Sequence, residues 1–415
     1  MLKVSYPPQS GGHVQHHPFA RGSGSYKLCQ SVSGQYVAAY IAYILPNLPA
    51  AVRVDRADQG STVYPPTCVA ELRNKTMELG GSGATAFCLA LGIMVFTGYY
   101  LKSVVRKPRI ICKPKSFISK LIKHSFPFVH ELYWPTFWCF GGRAQTVTAS
   151  LLKSHPSVDY SREFIHMPDG GVVALDWANA ASIPTSHFTV LILPGLTGTS
   201  DHNYIRHFVL HIIQELDCSV AVLNNRGLGG LPLKTLRVCC AADTGDLEYV
   251  IFHVKKRKPN FPLMVIGISL GGIILTNLLC KMGQREKVND NGIVFGGAVI
   301  SAPWDLFKTS ESLEQPVNHL LFNRHLTKLL RNVLKQQIAR NMSKLEFGNT
   351  FDLKCAFEFR TVREFDDRII IAPLSVYKDG NDYYTAATLH IKPLEKINVP
   401  LLLSYFEKIA HMSVV

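Results

Sequence analysis

Residues 265–272 read VIGISLGG and place one serine, Ser269, between Gly267 and Gly271 at the end of an apolar run. A β-branched run precedes this serine, and a helical pattern follows it over residues 271–284. A strand, a tight turn and a helix in this order hold a serine Oγ above the carboxyl edge of a sheet. The flanking glycines fit such a crowded turn. Ser269 is therefore predicted to be a nucleophile, and an ordinary helix cap is the alternative.

From about residue 160 onward, short β-rich runs alternate with helical patterns. This alternation predicts a parallel sheet that is covered by helices on both faces. Five runs read as buried strands: FTVLILPG (188–195), SVAVLNNRG (219–227), PLMVIGIS (262–269), GGAVISAPW (296–304) and VPLLLS (399–404). Residues 305–345 read as a longer helical insertion. The predicted fold class is α/β, with a doubly wound, mostly parallel sheet.

The run LILPGLTG (191–198) ends the strand that lies two before the serine strand. A loop at this point supplies one backbone donor of an oxyanion hole, and the residue after the serine supplies the other. We therefore predict the N–H groups of Leu196 and Leu270 as oxyanion donors, with an ordinary glycine turn as the alternative for the loop. No Gly-Lys-Ser/Thr follows these glycines, and the ten cysteines form no CxxC pair. No cofactor and no metal site are predicted.

An apolar run near the N-terminus carries no charge between residues 80 and 101 and is long enough to cross a bilayer. It ends in Tyr99 and Tyr100, with Lys102 and Arg106 behind, as at a membrane interface. We predict a single-pass membrane anchor over 80–101, and a buried core helix is the alternative. The other predicted segments are a disordered or non-native leader (1–76), a basic juxtamembrane linker with a cap-like part (102–159) and the main α/β domain (160–415).

The formal net charge is +14, from 44 Lys and Arg against 30 Asp and Glu, which suits either nucleic acid or an anionic membrane. Basic residues concentrate in KSVVRKPRIICKPK (102–115), directly behind the apolar run. The aromatic interleaving of a nucleic-acid platform is not visible. The pattern therefore favours a membrane, taken here as an endomembrane, and predicts no nucleic-acid partner. Counting positive charges places the basic side in the cytosol, and the sequence leaves the oligomeric state open.

Several motifs together resemble one known family, and they span about Met77 to Leu403. They are LPGLTGTS, NNRG, CCAADTGDLE, GISLGG, SLEQPVNHLLFN, REFDDR and DYYTAA, with YWPTFWCFGGRAQT and PDGGVVALDW upstream. The resemblance is to the membrane-anchored α/β-hydrolase domain-containing proteins 1 and 3. It implies a serine hydrolase of lipid esters, of the phospholipase, monoacylglycerol lipase or carboxylesterase type. It also implies one N-terminal anchor, usually described as type II, which conflicts with the charge count and leaves the side of the membrane open.

A serine hydroxyl needs a histidine to take its proton and a carboxylate to orient that histidine. In the family that this chain resembles, the acid follows the strand matching VPLLL, and the histidine lies in a Gly-Gly-His segment after one more strand. The present sequence reads SYFEKIAHMSVV at 404–415 and has neither. The resemblance therefore predicts an α/β-hydrolase fold without its last strand and helix, as in a C-terminally truncated or alternatively spliced form.

A few carboxyl and imidazole side chains elsewhere in the chain are candidate substitutes for the missing pair. Asp305 and Glu407 are the acid candidates, while the base candidates are His411, His319 and His325. Each is better explained as a surface, capping or packing side chain than as a member of a catalytic relay. Two functions therefore remain open at this level. The chain is a serine lipid-ester hydrolase that is weakly active or inactive, or it is a non-catalytic, membrane-bound lipid-binding or interaction protein.

The first prediction concerns the chain as written. Loss of the base leaves only the catalysis of the oxyanion hole and of substrate binding, so turnover of lipid esters should be at least ~10³-fold slower than in a full-length relative. The measurement compares esterase turnover of residues 77–415 with that of a variant carrying a family C-terminus after Leu403. Equal rates would mean that Asp305 or Glu407 has rebuilt the relay with a histidine.

Overall fold

The computed structural model describes residues 83–107, 131–151, 155–178, 188–216, 218–285, 292–340, 358–371 and 376–404. The predicted leader (1–76) and the substitute candidates Glu407 and His411 lie outside these residues.

The sheet has seven strands in the described part of the chain, in the order β1-β2-β4-β3-β5-β6-β7. They are β1 (Tyr160–His166), β2 (Val172–Ala178), β3 (Thr189–Leu193), β4 (Ser219–Asn224), β5 (Leu263–Ile268), β6 (Gly296–Ile300) and β7 (Leu401–Ser404). The pairs β1–β2 and β2–β4 are antiparallel, and all the other pairs are parallel. The predicted mostly parallel sheet is confirmed. The antiparallel strands β1 and β2 were not assigned from the sequence.

Two helices precede β1 in the described ranges, α1 (Gly83–Tyr99) and α2 (Gly142–Leu151). The helices between the strands are α3 (Asn203–Glu215), α4 (Gly245–Arg257), α5 (Leu270–Gln284), α6 (Leu306–Glu314), α7 (Pro316–Asn318), α8 (Arg324–Arg340), α9 (Val362–Phe365) and α10 (Gly380–Ala387). π-Helical turns extend three of the helices, at Tyr100–Val104, His319–Asn323 and Asp366–Ile371, and a 3₁₀ turn covers Leu394–Lys396.

Both faces of the central strands are buried. On β3, Leu191 and Leu193 belong to one core cluster, and Val190 and Ile192 belong to the other. Helices α4, α5 and α10 pack on the first face, and α3 packs on the second. Because successive side chains of a strand point to opposite faces, burial on both sides requires an unbroken apolar run. This explains why the predicted strands show no alternation of apolar and polar residues.

The predicted helical insertion lies between β6 and β7 and includes α6, α7 and α8. Gln337 of α8 ties it to the loop that follows β4. Its Nε2 donates to the carbonyl oxygens of Gly227 (2.6 Å) and Leu231 (3.0 Å), and its Oε1 accepts from the N–H of Leu233 (2.8 Å). The insertion therefore lies over the carboxyl edge of the sheet, where β5 also ends.

The N-terminal helix α1 continues through its π-helical turn to Val104. Residues Thr85–Val104 form the one helix in the described ranges that is long and apolar enough to cross a membrane, and 6% of this span is buried against the protein. The segment predicted as a juxtamembrane linker contains helix α2 and contacts the end of α1. Tyr100 donates its hydroxyl to the carbonyl of Pro135, and the N–H of Tyr133 donates to the carbonyl of Arg106 (2.9 Å).

A buried arginine joins three of the sequence motifs. Arg226 of NNRG contacts Asp169 of PDGG (Nη1 to Oδ2, 2.8 Å) and Asp246 of the DTGD segment (Nη2 to Oδ1, 2.8 Å), while its side chain is 2% exposed. The second glycine of PDGG, Gly171, has no room for a side chain, because a Cβ there would lie 2.0 Å from Arg226 Nη1. The motifs therefore occur together because each supplies part of one buried ionic cluster.

This cluster gives the second prediction. Arg226→Met leaves two carboxylates without their buried partner and should lower the free energy of unfolding by about 3–5 kcal/mol. Arg285→Met is the control, because Arg285 binds Glu248 outside this cluster (Nη2 to Oε2, 3.1 Å) and is 38% exposed. The control should cost about 1 kcal/mol or less. Urea unfolding of both variants measures the difference in the free energy of unfolding. An equal loss in the two variants would contradict the prediction that the buried Arg226 stabilises the fold more than an exposed ion pair does.

Candidate active site

Ser269 lies in the turn between β5 and α5 in a strained backbone conformation. Its φ is 52° and its ψ is −116°, a combination that costs a non-glycine residue about 1–3 kcal/mol. Its N–H donates to the carbonyl of Ile300 (2.9 Å), and its carbonyl accepts from Gly272 (2.9 Å) and Ile273 (3.2 Å). Its side chain makes no capping hydrogen bond. Ser269 therefore occupies the N-cap position of α5 without capping it through its side chain.

The glycines around Ser269 allow α5 to approach the sheet. A Cβ on Gly267 would lie 2.5 Å from the carbonyl oxygen of Gly271, and a Cβ on Gly271 would lie 2.4 Å from the carbonyl oxygen of Leu193. A Cβ on Gly272 would lie 2.7 Å from Val299 Cγ1. These contacts are with backbone or with core atoms, which cannot move aside cheaply. The first turn of α5 therefore packs against three strands with no space for side chains.

The loop after β3 forms a tight turn beside Ser269. The N–H of Gly198 donates to the carbonyl of Gly195 (2.9 Å), and Thr197 has a φ of 58°. A Cβ on Gly195 would lie 3.2 Å from Ser269 Cβ, so the loop touches the predicted nucleophile. The N–H groups of Leu196 and Leu270 donate no hydrogen bond to any group in the described ranges. One unbonded N–H group, that of Leu196, therefore lies in the loop that touches Ser269. The other, that of Leu270, directly follows Ser269 in the chain.

Side chains from α3 and from the residue before it hold this loop in place. Tyr204 Oη accepts from the N–H of Gly195 (3.1 Å), and His202 Nδ1 accepts from the N–H of Thr199 (3.1 Å). Burial raises the pKa of Tyr204 to about 12 and lowers the pKa of His202. Both groups are therefore neutral at pH 7, which suits an imidazole nitrogen that accepts a hydrogen bond.

A second support lies behind the loop, at Asp176 of β2. Its carboxylate accepts from Arg162 (2.7 Å to each oxygen), from Asn224 (2.7 Å) and from the hydroxyl of Ser200. Burial raises the pKa of Asp176, but the hydrogen bonds from Arg162 and Ser200 outweigh it, and the net shift is downward. Asn224 in turn accepts from the N–H of Ser200 (3.0 Å). This ionised network fixes the end of the loop.

Sequence reasoning did not assign Asp176, Asn224 or Tyr204 to the site. The sequence contains one indication of this network, because Asp176 is a charged residue within the apolar strand VVALDWA. Burying a charge is costly unless it is paired. A carboxylate in such a run therefore indicates partners elsewhere in the chain, although it does not identify them.

Asp305, the first acid candidate, caps α6. Its Oδ1 accepts from the N–H of Lys308 (3.1 Å), and its Oδ2 lies 3.8 Å from Nδ1 of His390, a histidine that was not considered from the sequence. Ala387, three residues before His390, accepts from Asn277 Nδ2 (3.0 Å). Asn277 is eight residues along α5 from Ser269, or about 12 Å along the helix axis. The capping interpretation therefore accounts for Asp305, and the N–H of its neighbour His390 donates to the carbonyl of Trp304 (3.2 Å), not to Ser269.

The base candidates within the described residues are not paired. His319 and His325 belong to the insertion, and neither forms an ion pair with a described carboxylate. The hydroxyl of Ser269 makes no hydrogen bond to any described group. In the same ranges, no three His, Cys, Asp or Glu side chains converge as metal ligands. The structure therefore brings Ser269, Leu196 and Leu270 together, but it does not bring Asp305, His319 or His325 into contact with the serine.

The strand order, the strained serine after β5 and the loop after β3 define the class of serine α/β hydrolases. No family model matches the sequence. The chain is 37% identical to mouse phospholipase ABHD3 over 332 residues, which are 78% of this chain and 76% of that protein. It is 31% identical to protein abhd-3.2 of Caenorhabditis elegans over 309 residues, 74% of this chain and 78% of that protein.

The chain therefore belongs to the phospholipase ABHD3 family, and the resemblance read from its motifs is confirmed. A more distant relative is the monoacylglycerol lipase of Saccharomyces cerevisiae, 27% identical over 214 residues, 51% of this chain and 46% of that protein. Among solved structures, the Pyrococcus furiosus esterase Pf2001 is 18% identical with a TM-score of 0.33, covering 60% of this chain and 84% of that chain. By its family, the protein is an ester hydrolase.

The packing of the turn gives the third prediction. Gly271→Ala forces a Cβ against the carbonyl oxygen of Leu193 and should destabilise the protein by at least about 3 kcal/mol. Gly141→Ala is the control, because its Cβ would meet nothing within 4 Å. Thermal unfolding of both variants is the measurement, and a Gly271→Ala variant as stable as the control would disprove the close approach of α5.

Proposed function

We propose that this protein hydrolyses ester bonds of membrane-derived phospholipids or glycerolipids, with Ser269 as the nucleophile. The observation that carries this proposal is the strained Ser269 beside two unbonded N–H groups, those of Leu196 and Leu270. The names of relatives support the substrate class, because the mouse protein is a phospholipase and the yeast protein is a monoacylglycerol lipase.

The reaction begins when Ser269 Oγ attacks the ester carbonyl carbon and gives up its proton to a base. Negative charge then moves to the carbonyl oxygen, where Leu196 and Leu270 donate hydrogen bonds, and one such donor typically contributes about 3 kcal/mol to the transition state. Collapse of the intermediate expels the alcohol and leaves an acyl-serine, which water hydrolyses to a fatty acid. No described side chain forms a hydrogen bond with Oγ through which it would take this proton.

We also propose that Thr85–Val104 crosses a membrane and anchors the protein, as a single pass in an endomembrane. The large side chains of α1 are exposed along its length, including Phe87, Ile93 and Met94. Exposed Lys102 lies in the last turn of the span, and exposed Arg106 and Lys107 follow it. Such an anchor keeps the enzyme next to substrates that hardly leave the bilayer.

A non-catalytic lipid-binding protein is the second candidate function. It is favoured by one observation, the absence of any hydrogen bond between the Ser269 hydroxyl and a histidine in the described ranges. A serine without a base is a poor nucleophile. A lipid bound beside Ser269 would then be retained without being cleaved.

A fluorophosphonate probe separates the two functions and gives the fourth prediction. If Ser269 is the nucleophile, the wild-type chain should be labelled at least about tenfold faster than Ser269→Ala, because the probe reacts only with an activated serine. Ser301→Ala is the matched control, since Ser301 also follows a parallel strand and also has a φ of 52°. This control should be labelled like the wild type.

Two results would contradict the enzymatic proposal. One is the absence of labelling in a wild-type chain that binds lipid, which would favour the binding protein. The other is labelling that persists in Ser269→Ala and disappears in Ser301→Ala, which would move the nucleophile to the end of β6.

A further inference from the structure

An exposed aromatic segment, residues 131–141, follows the apolar helix α1 and its π-helical turn. We call it the aromatic segment. Trp134, Phe137 and Trp138 all project into solvent, and Trp138 is 61% exposed. Single exposed apolar side chains are ordinary on a protein surface, but three large rings within five residues are not. Such a cluster indicates that these rings contact an apolar partner outside the chain.

The aromatic segment is attached to the end of the apolar span. Phe140 packs its ring against Phe96 (5.8 Å between centroids) and Tyr99 (5.9 Å). Tyr100 donates its hydroxyl to the carbonyl of Pro135. These contacts fix the segment at the level where the span ends. Tryptophan and tyrosine concentrate at this level of membrane proteins, because it is apolar on one side and wet on the other.

The same part of the chain is tied to the insertion. Arg143, in the first turn of α2, donates from Nε to Oδ1 of Asn318 (2.7 Å), and Asn318 is buried and donates to the carbonyl of Ser312 (2.8 Å). Next to Asn318, the insertion exposes Val317, Leu320 and Leu321. Their spacing of three and four residues places them on one face of the helical turn.

We propose that these six apolar side chains form one surface that enters the headgroup region of a lipid bilayer. This interfacial surface consists of Trp134, Phe137, Trp138, Val317, Leu320 and Leu321, and it rests on the proposed function of α1 as a membrane anchor. A lipid surface is the occupant that the contacts favour, because the aromatic rings are continuous with the end of the span. Exposed Lys102, Arg106 and Lys107 beside that end complement anionic headgroups.

The interfacial surface has a consequence for substrate delivery. The insertion covers the carboxyl edge of the sheet through Gln337 and its contacts with the loop after β4. If the insertion contacts the bilayer, this edge lies next to the lipids, and Ser269 lies at the same edge. A lipid ester then passes from the bilayer to the serine without crossing bulk water.

Tryptophan fluorescence tests this proposal independently of catalysis, and it gives the fifth prediction. The full chain has four tryptophans. Trp177 lies on β2 under Arg257 (5.2 Å to the ring centroid), and Trp304 accepts from the N–H of Leu389, so both belong to the α/β domain. The variant Trp177→Phe/Trp304→Phe keeps the two interfacial tryptophans, and Trp134→Phe/Trp138→Phe is its control. Both are reconstituted in phosphatidylcholine–phosphatidylserine vesicles with or without brominated acyl chains.

Brominated lipids should remove about half or more of the emission of Trp134 and Trp138, because interfacial side chains lie at the boundary of headgroups and acyl chains. The control variant should lose little of its tryptophan emission. For the insertion, Leu320→Trp in the control background should restore quenching. Val376→Trp should not, although Val376 is as exposed as Leu320 (67% against 61%) and lies outside the surface.

Flotation of the vesicles separates the failure of this inference from the failure of the anchor. A chain that does not float with the vesicles overturns both proposals. A chain that floats, but whose Trp134 and Trp138 are not quenched, overturns only the interfacial surface. Protection of these tryptophans from aqueous iodide without quenching by bromine would indicate a protein partner or a second copy, and it would also overturn the proposal.

Discussion

The first turn of α5 lies so close to β3, β5 and β6 that side chains cannot fit between them. Gly267, Gly271 and Gly272 meet this constraint by having none. Ser269 absorbs the remaining strain in its backbone, and hydrogen bonds with Ile300 and the following turn hold it there. The strain is supported by strands that are buried on both faces, each of whose Val, Leu and Ile side chains contributes about 1.5–3 kcal/mol when fully buried. The half-buried position of Ser269 at the end of β5 is a consequence of this packing.

The motifs that identified the family are distant in sequence, and most of them meet in buried polar contacts. Arg226 joins NNRG to PDGG and to the DTGD segment. In the same way, Tyr384 of DYYTAA donates to Asp366 of REFDDR (2.9 Å), where burial raises the pKa of Asp366 to about 7. Tyr383 accepts from the N–H of Ala241 in CCAAD (3.0 Å). Leaving one buried polar group without its partner costs more free energy than replacing both groups with apolar ones. Such motifs are therefore expected to be retained or lost together.

The parts of this fold that could be predicted from sequence are those that depend on local patterns. The parallel strands are continuous apolar runs, and the glycines around Ser269 mark the turn. Strand β1 was missed because one of its faces is exposed, with Phe164 turned to solvent and Ile165 buried, so its polar residues resemble a loop. The network around Asp176 was missed for a different reason. Its partners Ser200 and Asn224 are 24 and 48 residues away, and no local pattern specifies which polar side chain meets which.

The site therefore has two physically separate halves. One half is the proposed oxyanion site, and it is built from the ends of β3 and β5 with support from β2, β4 and α3. The other half moves protons, and it requires a base within reach of Ser269 Oγ. Asp305, at the end of β6, is engaged in capping a helix. An oxyanion hole with bound substrate retains about 10³–10⁴-fold catalysis over water even without the relay. Under the proposed function, a base placed at Oγ is therefore what distinguishes an efficient hydrolase from a lipid-binding protein.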